Sequence, residues 1–138
     1  MFKHLSVDQT RFIAILAKAA RAQRDALIGN IDERALGEFV PARGEHDPTA
    51  ALGFEPLPPD DPQVDALRKA VASLSEPARR ELYALVRIGQ GHLAANKWYR
   101  GISEAEALGD ETATAAILDD ADLHEHIAKG LYEAERSA

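Results

Sequence analysis

Apolar residues recur every third or fourth position along most of this chain, separated by charged residues. That spacing predicts amphipathic helices. The first helix spans about 6–28. Ser6 supplies a cap, and Gln9 three residues on completes a capping box. At 100° per residue, Phe12, Ile13, Leu16, Ala20 and Leu27 share one face, with Arg11, Lys18, Arg21 and Asp25 on the other. Gly29-Asn30 is the expected stop. Asp61-Pro62 then caps a short helix over about 62–73, with Val64, Leu67, Val71 and Leu74 as its stripe. Ser75 caps the next, whose stripe is Ala78, Leu82, Leu85, Val86 and Gly89. A glycine on an apolar stripe predicts close approach of a neighbouring backbone. Gly91 should end this helix.

Further on the pattern is shorter. Ser103–Ala107 reads as a capped helix ending near Gly109, and Thr112–Leu118 as one or two helical turns. The last helix is expected over about 121–135, with Asp122 and Glu125 as its N-terminal capping pair and Leu123, Ile127, Leu131 and Ala134 as its stripe. No segment alternates with the period of two that a half-buried strand requires. The expected fold is all-α, a single bundle of four to six helices over 1–138.

Six of the seven prolines (Pro41, Pro48, Pro56, Pro58, Pro59 and Pro62) fall between 41 and 62. Proline removes a backbone donor and fixes φ, so this stretch excludes a long helix or central strand. The expected division is an N-terminal helix (1–28), a Pro-rich connector (29–61) and a helical region (62–138). Leu36–Val40 and Ala51–Phe54 are expected as short strands or as apolar clips that pin the connector to the core.

The run Arg80–Gly91, followed by Trp98, Ile117-Leu118 and Ile127-Ala128-Lys129-Gly130-Leu131, resembles a bacterial family of unknown function, family 3775. In that family a helix with a glycine-ended Leu-x-Ala-Leu core precedes an acidic segment and a closing helix that carries Gly-Leu. The likeness covers about 62–135, and residues 1–61 lie outside it. It implies a small helical protein and assigns no catalytic residue. His124-Glu125-His126 departs from the family pattern.

Composition removes several kinds of chemistry. The 138 residues include no cysteine, which excludes disulfides, a thiolate nucleophile and thiolate-ligated metal sites. It also fits a reducing, cytoplasmic setting. Sixteen Lys+Arg against 23 Asp+Glu give a formal charge of −7, so nucleic-acid binding is disfavoured without a segregated basic patch. The apolar run Phe12–Ala17 falls far short of the roughly 20 residues a membrane span needs. Bracketed by Arg11 and Lys18, it also falls short of a secretory signal core of roughly 7–15 residues. No membrane association is expected.

The candidate sites rest on side-chain spacing. Asp120 with His124, and Asp122 with His126, lie four apart, so each pair shares a helical face and could offer a carboxylate and an imidazole to zinc or manganese. His124 and His126 point about 200° apart on a regular helix, so one ion would also need His92 or Glu111. The competing reading has the acidic residues cap the last helix. His92, beside Gly91 and near Trp98 and Tyr99, is a candidate loop base, but no nucleophile accompanies it. Arg79, Arg80 and Arg87 share one side of the third predicted helix and face either an acidic partner or this chain's own carboxylates. Trp98, Tyr99 and Arg100 are the residue types that anchor protein interfaces, although a lone tryptophan more commonly fills a core. No cofactor is predicted. The leading expectation is a non-catalytic interaction or regulatory module that binds a protein partner or forms a homo-oligomer. The alternative is a small metal-dependent enzyme or ligand binder built on residues 120–126.

Overall fold

The computed structural model describes residues 2–37 and 61–137, with side chains described for 2–26 and 61–137. The described residues form six α-helices: α1 (Val7–Gly37), α2 (Pro62–Ala72), α3 (Glu76–Gly89), α4 (Trp98–Leu108), α5 (Asp110–Leu118) and α6 (Leu123–Ser137). A 3-10 turn, Ala95–Lys97, leads into α4. There is no strand among the described residues, and the fold is all-α as expected. No described helix is long and apolar enough to cross a membrane.

The predicted caps form. Ser6 Oγ accepts from the Gln9 amide at 3.0 Å while the Gln9 side chain accepts from the Ser6 amide at 2.9 Å. Asp61 accepts from the Gln63 and Val64 amides, with proline in the first turn of α2. Ser75 accepts from the Ala78 amide. Each satisfies donors that a helix start leaves without partners.

Three boundaries differ from the expectation. α1 runs through Gly29-Asn30 to Gly37. A mid-helix glycine costs only about 1 kcal/mol against alanine, and no proline follows until Pro41. The rest of the expected connector, with its apolar stretch at 51–54, lies outside the described residues. α4 begins at Trp98 rather than Ser103, because Gly101 is a packing position and not a break. At the last helix, the Asp122 carbonyl accepts from the Glu125 and His126 amides, and its side chain bonds Arg21 of α1. The N-terminal turn is organised by Asp120, whose Oδ1 accepts from the Asp122 amide at 2.9 Å.

α3 is the axis of the assembly. It packs most extensively on α6 and α4, and also on α5, while α1 lies against α2 and α6. Every residue from Glu81 to Val86 is buried, as are Ile88 and Gly89. Its expected stripe joins Ile13 and Ala17 of α1, Leu67 and Val71 of α2, Ala105, Ala113, Ile117, Leu123 and Ile127 in one core.

Such enclosure demands close backbone approach, and glycines allow it. A Cβ at Gly89 would overlap the carbonyl oxygen of His126 on α6. One at Gly130 of α6 would lie 2.5 Å from the Leu85 carbonyl oxygen, and one at Gly101 of α4 would lie 2.6 Å from the Ala84 Cβ. Gly91 has a different reason to be glycine. Its φ is +83°, and a Cβ there would meet nothing within 4 Å. Gly89→Ala should therefore cost about 3 kcal/mol or more by forcing α3 and α6 apart. Gly91→Ala should cost about 1 kcal/mol for a left-handed residue. Urea unfolding of the two variants measures the difference.

Candidate functional site

Polar side chains gather at the ends and flanks of α3. Glu81 is 3% exposed, and its carboxylate accepts backbone bonds from Lys3 (3.1 and 3.2 Å), His4 (3.0 Å) and Leu5 (2.9 Å). A buried carboxylate is costly unless hydrogen bonded. Here three successive amides supply that compensation and fix the segment that leads into α1. Sequence reading missed Glu81 as a buried group, because its partners are backbone amides about 80 residues away.

Arg79 makes a bidentate bond to Asp110 (2.8 and 2.9 Å) at the start of α5 and donates to the carbonyls of Ala72 (3.1 Å) and Leu74 (2.5 Å). The Arg79 hydrogen bonds hold the Asp110 carboxyl below the usual carboxylate range. Arg80 bonds Glu76 at 2.9 Å. Arg87 lies 3.2 Å from Glu104, which also accepts from the Tyr83 hydroxyl. The basic cluster predicted on this helix is thus engaged with the chain's own carboxylates, the bland alternative for it.

At the junction of α5 and α6, Asp120 Oδ2 contacts His126 Nδ1 at 2.5 Å and Gln90 Nε2 at 3.1 Å. The i, i+4 pairs do not form. α6 starts at Leu123, so Asp120 lies outside its register, and although the Asp122 carbonyl accepts the first helical bonds from Glu125 and His126, its side chain turns to Arg21. Asp120 pairs with His126, six residues on, and Asp122 with Arg21. His124 Nδ1 is buried with no hydrogen-bond partner, and its Nε2 lies 3.9 Å from Glu125. His92 is exposed beyond the end of α3. Among the described residues no three His, Asp or Glu side chains converge as a metal-ligand set. The Asp120–His126 pair orients an imidazole, but no hydroxyl among the described residues is hydrogen bonded to its Nε2.

Trp98 is half-buried, with its ring 5.6 Å from that of Phe2 at 58°. It belongs to the core edge, whereas Tyr99 is 58% exposed and Arg100 is exposed beside it. A cavity of about 350 Å³ opens between α1, α2 and the α5–α6 turn, lined by Ala17, Arg24, Val64, Leu67, Leu118 and Asp119 among others.

The outer face of α1 holds the other feature that sequence reading misplaced. Phe12, expected in the core, is 55% exposed, and Ile15 is 65% exposed. The buried stripe is Thr10, Ile13 and Ala17, and Phe12 projects from the opposite side. α1 is apolar on both sides, so its periodicity did not single out one face.

Burial, and then the bond to Glu104, push the Tyr83 hydroxyl from an ordinary 10.0 up to about 12. The folded chain thus resists ionising this phenol more than the unfolded chain does. Its contribution is complete below pH 10 and is lost as pH rises through about 12. Stability should drop by up to about 2–3 kcal/mol over that range from this group, and Tyr83→Phe should remove that part. Denaturant titrations at several alkaline pH values, with phenolate absorbance, test this.

Residues 64–135, just over half of the chain, match the family model described as protein of unknown function (DUF3775). No curated protein and no solved structure matches. The match falls on α2 to α6, the helices that enclose and include α3, and the chain belongs to the DUF3775 family.

Proposed function

We propose that this chain is a non-catalytic protein-interaction module that docks its partner on the outer face of α1. The observation carrying this reading is the exposure of Phe12 and Ile15, one turn apart on a helix whose opposite side is fixed in the core. Large apolar side chains adjacent on a helix surface are typical of an interface. The charged groups elsewhere point the same way. Arg79, Arg80, Arg87, Asp110, Asp120 and His126 are all engaged within the chain, Arg80 with Glu76 of its own helix and the others with other elements or the α5–α6 junction. Of the residues that sequence reading offered for a partner, Tyr99 and Arg100 remain accessible, and they provide a smaller second surface.

The test is association of the full chain, by light scattering and by capture of proteins from the cells that express it. It compares the natural chain with a Phe12→Ser/Ile15→Ser variant. The reading predicts that association is lost in the variant while the melting temperature stays within about 2 °C, because both side chains are exposed. A chain that stays monomeric and captures nothing overturns it.

A further inference from the structure

Resting on that interaction reading, we propose that the occupant of this face is a second copy of the chain, with α1 packed antiparallel on α1. The argument begins with spacing. Phe12, Ile15, Ala19, Ala22 and Ala26 follow one another at intervals of three, four, three and four residues. That is the repeat of a coiled-coil seam. It centres on the side of α1 opposite the buried Thr10, Ile13 and Ala17, and Ala22 and Ala26 are exposed along with the two large residues. Alanine at such positions lets two helices approach closely, and the described seam is about 21 Å long at 1.5 Å per residue.

Two-fold symmetry allows a parallel or an antiparallel pair. In the parallel one each flank meets the opposite flank, which sets Lys18 against the uncharged Gln23; in the antiparallel one each flank meets the same flank of the other copy, where charges of both signs lie. One flank carries Arg11, Lys18 and Asp25; the other carries Gln9, Leu16 and Gln23. Charge then selects the register. Sliding the helices so that Ala19 faces Ala22 of the second copy brings Lys18 opposite Asp25, twice by symmetry. One heptad step to one side sets Arg11 against Asp25 but also Lys18 against Lys18, and one step to the other sets Asp25 against Asp25, so among the described flank positions only the first register has no like-charge pair. The favoured register also matches large with small: Ile15 faces Ala26, and Phe12 faces Gly29, a helical position with no side chain. This gives a reason for a glycine inside α1, where it otherwise only weakens the helix. Asp25 is 60% exposed and shares Arg21 with Asp122, which leaves it free to meet a second cation.

The experiment is light scattering and sedimentation on the full chain at about 100 µM, above a micromolar dissociation constant. The expected mass is twice 15.0 kDa. Lys18→Asp and Asp25→Lys should each weaken the dimer roughly tenfold, since each change makes two pairs repulsive. The double swap Lys18→Asp/Asp25→Lys should restore it. Ile15→Glu should give monomer with an unchanged helical circular dichroism signal. A monomeric natural chain overturns self-pairing. If it captures another protein through Phe12 and Ile15, the interaction reading stands; if it captures nothing, both fall. A dimer indifferent to Ile15→Glu, or one that the double swap weakens further, also overturns the proposal.

Discussion

Enclosure of α3 is the constraint on which the rest of the structure depends. A helix buried around most of its circumference cannot leave polar groups unpaired, nor keep neighbours at ordinary distance. Close approach is met at Gly89, Gly130 and Gly101, where helix backbones come nearer than a Cβ allows. Pairing is met largely by polar residues of α3 that act as struts to other elements, while Arg80 pairs with Glu76 within the helix. Glu81 holds the segment before α1, Arg79 the start of α5, and Arg87 and Tyr83 hold Glu104 of α4.

The proposed function rests on what this arrangement leaves over. α1 is tied at two points, through Glu81 before its first turn and through Arg21 to Asp122 at the α5–α6 junction. One side of it is therefore fixed in the core, and the other, with Phe12 and Ile15, is presented outward in a defined orientation. Such preorganisation lowers the entropic cost of association. The family match covers the helices around α3, and the proposed docking helix lies before it.

Legibility in the sequence followed the range of the interactions. Caps were readable because Ser6, Asp61 and Ser75 bond amides two or three residues away. Gly89 was readable as a close-approach site because it sits on an apolar stripe. Gly101 was not, since its partner Ala84 lies on another helix and a glycine beside polar residues looks like a break. The Asp/His spacing at 120–126 did not foretell the pairing, because Asp120 lies before the helix that starts near Leu123 and the Asp122 side chain is drawn to Arg21, about 100 residues away. Phe12 misled for another reason: a helix with two apolar sides has no unique inward face, and only the packing of Ile13 and Ala17 decides between them. The all-α class survived these local errors, because it rests on the period of the pattern and not on which face points inward.

Native-state hydrogen exchange, residue by residue, tests the enclosure of α3 most directly. The amides of Leu82–Ile88 should exchange only through global unfolding, with the same free energy as denaturant unfolding, and those of Ile127–Leu131 should be close behind. Exchange of α3 at the rate of the peripheral α5, or earlier, would contradict the account.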